Sequence, residues 1–528
     1  MVRQTCRISL LVALVCIFMS VTPVLAQEPI TLLPLTSEGY DIESVTPEGW
    51  ADLGQGIVAR QQSPSDVTLL AQQSAPVSQD LVMESLLPQF GLTEEPASTG
   101  TYEGPTLEWT LYEFEFTQGN TPTSADLALA EDDGTSYIVL LLSSPDEHDD
   151  VHAQVFEPVL AVFTPLVEPP QDVPYRVEEV TFPNGDITLA GTLTLPETPG
   201  PHPVVVLVSG SGPQDRDETL GGGIAIKPFR LLADALTRNG VAVLRYDDRG
   251  VGQSGGVFSD ATVAEFATDA ESAIDYLLTR GEIDPEQVGL LGHSEGGQVA
   301  AMLGARNDDL DFIISLAGPG VVGREIYALQ SELIPRAEGA NEEAIASQKR
   351  LAEGVMERLD DPEALEEFVY QETMVQLLTL PKEQRDQIGD LESYARTATS
   401  RAVSQYASAS FASFLAYDPA PDWAQTTIPV LAIFGGKDAQ VEAGQNAPPV
   451  AESLAQAGNR DFTIVVLPEA NHLFQAAESG SFSEYGTLPG EFTPSLIPTI
   501  LNWVDLHVVP GGEAIGTPVA AAAATPIA

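Results

Sequence analysis

From Val204 onward the chain alternates between short apolar runs and longer amphipathic stretches. The apolar runs are Val204–Ser209, Val241–Tyr246, Val288–Gly292, Phe312–Leu316, Val430–Phe434 and Phe462–Leu467. Helical candidates between and after them include Lys227–Asn239, Val263–Thr279, Gly296–Arg306 and Thr493–His507. Repeated strand–helix units of this kind predict a mostly parallel sheet with right-handed crossovers and helices on both faces. Ahead of them, the alternating runs around Asn184-Gly185 predict a hairpin. One interval, Gly320–Ala416, breaks the rhythm. It has helical composition, places Leu351, Val355 and Leu359 at four-residue spacing, and is too long for a crossover. An inserted helical cap over 320–416 is expected.

The parts outside this region divide simply. Residues 1–26 combine Arg3 and Arg7, the apolar run Ile8–Phe18 and the small-residue end Val24-Leu25-Ala26. That pattern predicts a secretory signal cleaved after Ala26, a secreted protein, and no membrane insertion after cleavage. Both cysteines, Cys6 and Cys16, fall inside the leader, so a mature chain starting at Gln27 has neither thiol nor disulfide. Val15 before Cys16 speaks against a lipidation site. Residues 27–166 read as a small α+β unit. Its strand candidates are Tyr40–Trp50, Val67–Gln72, Leu107–Phe116 and Thr135–Ser144, followed by helical spacing at Val155, Val159 and Phe163. Within it, His148 and His152 stand four apart, but at a charged helix start with no third ligand evident, so no metal is expected there. Residues 167–174 are a Pro-rich linker, 175–510 the second unit, and 511–528 a low-complexity tail expected to be disordered. The net charge of −54 repels nucleic acid and anionic lipid, and no nucleic-acid partner is expected. The sequence sets no oligomeric state.

The chemistry concentrates in the second unit. Gly292-His293-Ser294-Glu295-Gly296 follows an apolar strand and opens a helix, the context a nucleophile elbow demands. The glycines permit a sharp turn that lifts Ser294 above the sheet, and the helix aims its N-terminal N–H groups at the same place. A serine hydroxyl needs a base, and the base needs an orienting acid. Among six histidines, His472 lies just past the last strand candidate. His293, beside Ser294, is expected to point elsewhere. His507 sits at a helix C-terminus and His202 at a strand start among prolines. For the acid, Asp438 follows Gly435-Gly436 directly after a strand, with Glu442, Asp418 and Asp422 as alternatives.

From about Tyr175 to His507 the chain resembles an α/β-hydrolase. Within that superfamily it is similar to secreted bacterial serine esterases related to dienelactone hydrolases and serine aminopeptidases. The matching stretches are "SGSGPQDRDE", "RYDDRGVGQSGG", "GHSEGG", "GGKD" and "NHLFQ". The resemblance implies an eight-stranded sheet and ester hydrolysis through an acyl-enzyme, with no cofactor and no catalytic metal. A dienelactone hydrolase proper would carry Cys where Ser294 stands, which argues against that particular chemistry.

The loop after the strand Val204–Ser209 lacks the lysine of a phosphate-binding loop. It is expected instead to supply an oxyanion donor, the N–H of Ser211 or alternatively Gly212, opposite the N–H of Glu295. Arg216 and Arg249 are expected to pair with carboxylates and hold the rim loops. Phe411 and Phe414 are candidates either for an apolar pocket wall or for plain cap core. Two enzyme activities fit, a carboxylesterase acting on small-molecule esters and an aminopeptidase. The latter could use Glu295 as an acidic anchor, although a solvated rim glutamate would look the same. A non-catalytic surface-binding protein is the remaining class.

Overall fold

The computed structural model describes residues 30–508, apart from 38, 64–65, 93, 119–120, 133, 167–172, 221–223, 383–384, 386–387 and 389–390. The leader, the tail and most of the linker lie outside the described residues.

The first unit holds ten strands among the described residues: β1 (Leu32–Ser37), β2 (Ile42–Pro47), β3 (Ala51–Gly54), β4 (Ile57–Ala59), β5 (Leu69–Ala75), β6 (Ser98–Glu103), β7 (Glu108–Gln118), β8 (Thr121–Asp132), β9 (Thr135–Ser143) and β10 (Thr164–Pro165). They form an antiparallel seven-stranded sheet, ordered β3-β4-β5-β9-β8-β7-β6, and a three-stranded sheet, β1-β2-β10. The strands β1, β3, β4, β6, β8 and β10 and the helix Gln79–Leu86 lie outside the candidates read from the sequence; β8, nearly all buried, shows little alternation. Residues on both faces of the large sheet are buried. One face packs on Val82, Leu86 and Phe90, the other on Val155, Phe156, Val159 and Phe163.

The second unit contains β11 (Tyr175–Asn184), β12 (Ile187–Pro196), β13 (His202–Val208), β14 (Ala242–Tyr246), β15 (Ile283–His293), β16 (Phe312–Leu316), β17 (Val430–Gly435) and β18 (Phe462–Leu467). Their order is β11-β12-β14-β13-β15-β16-β17-β18, antiparallel through the hairpin β11–β12 and its pairing to β14, parallel from β14 to β18. Strands β13, β14, β16 and β17 are buried along their whole length, and β15 from Val288 onward, which explains why they read as unbroken apolar runs. Helices Pro228–Arg238, Val263–Leu278, Gly296–Arg306, Ala443–Gln456 and Leu496–His507 pack against this sheet to form one core.

The interval after β16 is helical: Gly323–Ala337, Glu342–Met356, Pro362–Thr379, Leu391–Tyr406 and Ala409–Ala416. Val355, Leu365 and Val369 form its small core, with Leu351 and Leu359 beside them. Its first helix reaches the loop after β17, where Gln330 Nε2 donates to the carbonyl of Gln440 at 3.0 Å. The two units touch through Lys227, whose Nζ lies 2.7 Å from Asp41 Oδ2. They touch again at Gly134, so close to Gly252 that a Cβ on Gly134 would lie 2.6 Å from its Cα.

Candidate active site

Parallel strands present their carboxyl ends along one edge, where ligands bind in open α/β sheets. Ser294 follows β15 directly and has a φ of 53°, a left-handed conformation rare for a residue with a side chain. Two glycines make the turn possible. A Cβ on Gly292 would lie 2.1 Å from the carbonyl oxygen of Gly296, and one on Gly296 would lie 2.2 Å from that of Val208. Turn and helix therefore press against β13 at distances no side chain tolerates. The Ser294 N–H donates to Leu316 O at 2.9 Å, tying the elbow to β16.

His472 and Asp438 come from the loops after β18 and β17. His472 Nδ1–H donates to Asp438 Oδ2 at 2.7 Å, and both residues are buried. Asp438 Oδ1 accepts the backbone N–H groups of Gln440 at 2.7 Å and Val441 at 2.9 Å, so both carboxylate oxygens are fixed. With Nδ1 occupied, Nε2 is the basic nitrogen. The close fit of the two loops needs Gly435, where a Cβ would lie 2.5 Å from Ala470 O. Asn471 shapes the histidine turn by accepting the N–H groups of Leu473 at 3.0 Å and Gln475 at 2.9 Å. The other acids considered are engaged elsewhere. Glu442 caps the helix Ala443–Gln456, Asp418 accepts from Ala420 N–H, and Asp422 accepts from the Tyr417 hydroxyl.

The loop after β13 is held at both ends by the aspartate pair after β14. Asp248 accepts the Ser209 hydroxyl at 2.7 Å and the Gln214 N–H at 3.0 Å. Asp247 accepts Arg216 Nε at 3.0 Å and Nη2 at 2.6 Å, and Arg216 also reaches Glu179. Arg249 makes a fork with Asp269, at 2.7 and 2.8 Å. Both arginines thus fix rim loops. The Gly210 N–H is taken by Glu218 Oε1 at 2.9 Å. The N–H groups of Ser211, Gly212 and Glu295 carry no hydrogen bond among the described residues. These are the free donors of the site, and both Ser211 and Gly212 remain candidates.

Two placements, those of His293 and Glu295, differ from the sequence reading. His293 does not point away from the site but lies beneath it, its ring centroid 4.8 Å from that of His472. Its Nδ1 meets Glu218 Oε1 at 2.6 Å and its Nε2 meets His472 O at 2.9 Å. Both nitrogens face acceptors, which suits an imidazolium. Burial alone would lower the pKa of His293, but the Glu218 carboxylate outweighs it and the net shift is upward. Glu218 was not singled out from sequence. No local pattern in "DRDE" sets it apart from its neighbours; its burial shows only in the fold.

Glu295 is no solvated rim residue, being 4% exposed. Its Oε1 has no hydrogen-bond partner among the described residues, and burial pushes its carboxyl up to about 8. It lines a small recess behind the elbow with Ser209, Tyr246, Asp248, Phe258 and Phe266. Phe411 sits in the cap's own core, edge-on to Tyr327 with centroids 5.2 Å apart and beside Tyr406 at 5.5 Å. Phe414 packs where the cap meets the main core.

An elbow serine, a carboxylate-held histidine and free backbone donors along one edge of a β11-to-β18 sheet define an α/β-hydrolase. The chain belongs to the alpha/beta hydrolase family, whose model matches residues 205–480. It is similar to the esterase EstD of Thermotoga maritima, 27% identical over 337 residues that cover 63% of this chain and 70% of the relative. Among solved structures it is similar to the Pyrococcus furiosus esterase Pf2001, at 15% identity and a TM-score of 0.40, covering 65% of this chain and 94% of that one. It is also similar to a dienelactone hydrolase of Anabaena variabilis, at 16% identity and a TM-score of 0.33, covering 63% and 99%.

Proposed function

We propose that this chain is a secreted serine carboxylesterase that cleaves short- to medium-chain esters through an acyl-serine intermediate. The observation that carries the reading is the buried 2.7 Å His472–Asp438 pair on the same sheet edge as a serine held at positive φ. His472 Nε2 takes the proton from Ser294 as its oxygen attacks the ester carbonyl. The imidazolium formed is stabilised by Asp438, which also fixes the tautomer. The N–H groups of Glu295 and of Ser211 or Gly212 receive the developing oxyanion. His472 then protonates the leaving alcohol, and water deacylates Ser294 by the same route in reverse. The similarity to an esterase supports ester over amide substrates.

Burial of Glu295 argues against the aminopeptidase alternative. A carboxyl that is neutral up to about pH 8 makes a poor anchor for a substrate ammonium group. Rates on p-nitrophenyl esters from acetate to octanoate, set against aminoacyl-anilides, test the choice. Esters are expected to turn over faster, and faster anilide cleavage would reverse the assignment. Ser294→Ala is expected to abolish turnover with the fold intact, and surviving activity would remove Ser294 as nucleophile.

A further inference from the structure

The first unit carries a cluster that the hydrolase chemistry does not use. The helical run after β9 begins with His148–Val151 and continues as a single wide π turn, His152–Phe156, a feature often found at functional sites. It sets His148 and His152 over Asp126, on the neighbouring strand β8. Ligand atoms of the three residues all lie within 4.8 Å of one another, supplying the third donor that the sequence did not reveal. His152 Nδ1 is 3.0 Å from Asp126 Oδ1, and His148 Nε2 is 3.6 Å from the same oxygen. Glu113, directly across from Asp126 in the β7–β8 register, brings its Oε1 to 3.6 Å from His148 Nε2.

We propose that Asp126, His148 and His152 form a binding site for a first-row divalent cation, best matched to Zn2+, with Glu113 available to close it. Two donors each about 2.0–2.2 Å from a tetrahedral zinc stand roughly 3.3–3.6 Å apart. The separation of 3.6 Å is too long for a hydrogen bond but fits two ligands of one metal. Asp126 is 2% exposed, and its Oδ2 has no hydrogen-bond partner among the described residues. The remaining imidazole nitrogens face groups that would orient the rings. His148 Nδ1 lies 3.3 Å from the Ser143 hydroxyl, and His152 Nε2 lies 3.8 Å from Glu157 Oε1. The Ser143 contact fixes the ligating tautomer of His148, and Glu157 lies beyond hydrogen-bond distance of His152. Two carboxylates directly opposite on adjacent strands repel each other, and a cation between them removes that cost. Two imidazoles with one or two carboxylates favour zinc over calcium or magnesium, which prefer oxygen alone. The site would tie the helical run to the sheet as a structural staple in a chain whose cysteines both lie in the leader.

The test uses the full mature protein, stripped with chelator, reloaded with Zn2+ in the presence of millimolar Mg2+, and freed of excess metal by gel filtration. One Zn2+ per chain is expected, with a rise in melting temperature on loading. Co2+ loading should give the visible absorption of a low-symmetry site with nitrogen ligands. His152→Gln, at a half-exposed position that should not disturb folding, is expected to lose stoichiometric metal. Ser143→Ala should weaken affinity about 10- to 100-fold. Metal content far below one per chain in the loaded wild type would overturn the proposal. So would one Zn2+ per chain retained in the His152→Gln variant.

Discussion

Glu218 Oε1 lies 2.6 Å from His293 Nδ1, and the far nitrogen of the same ring meets the His472 carbonyl at 2.9 Å. The residue before Ser294 therefore joins the loop after β13 to the loop that carries His472. Glu218 also holds the Gly210 N–H, next in sequence to Ser211 and Gly212. Glu218→Gln keeps the shape but removes the carboxylate that shifts the His293 pKa upward. Ester turnover is expected to fall by about 100-fold, the scale of a displacement of about 1 Å at a reacting group. The loss should appear in kcat with KM nearly unchanged. A wild-type kcat would mean that the contact does not position the site.

Asp438→Asn is expected to lower kcat by about 10⁴-fold with the fold retained, because an amide facing Nδ1 favours the wrong tautomer. Glu442→Gln, which only alters a helix cap, should leave kcat within about threefold of wild type and cost at most ~1 kcal/mol of stability. Steady-state kinetics on a p-nitrophenyl ester compare the two. The opposite ranking would transfer the role of the acid.

Glu295 predicts a pH dependence of stability. Its folded value is raised to about 8, while the unfolded chain ionises near the ordinary 4.5. The group's contribution to stability is fully present below 4.5 and is lost as pH rises through about 8. Glu295→Gln, neutral at every pH, should match wild type near pH 4.5 and exceed it in unfolding free energy near pH 8.5. Denaturant titrations at the two pH values measure the difference. Parallel pH profiles for the two proteins would show that Glu295 is already ionised in the fold.

The contact between the units predicts a communication from the first to the rim. Gly134 packs against Gly252, and the neighbouring Gln253 N–H donates to Asp247, which holds Arg216. Gly134→Val should push this rim loop and lower kcat several-fold. Lys227→Met, which removes a partly buried ion pair with Asp41, should change stability by only about 1 kcal/mol. Equal kinetics for Gly134→Val and wild type would mean that the rim does not feel the first unit.

Local pattern alone determined most of the second unit. Apolar runs of five or six residues mark β13 to β18 to within a few residues, except that β15 begins five residues before the run that announced it. The glycines around Ser294 announce the elbow, and the turns just after β17 and β18 announce Asp438 and His472. These features are legible because strand burial, tight turns and chain order are written within a few consecutive residues. β8 escaped notice because burial on both faces removes the alternation by which an antiparallel strand is recognised.

The polar architecture beneath the site was decided by the tertiary structure. Glu218 and His293 are 75 residues apart, and Ser209 and Asp248 are 39 apart. The third donor at His148 and His152 comes from a strand that local pattern did not reveal. Nothing in the periodicity of either partner names the other. Such pairs form where crossovers bring distant loops together away from water, and there each buried charge must find a partner or change its protonation. For the same reason Glu295 reads as a rim residue in sequence and proves to be a buried acid in the fold.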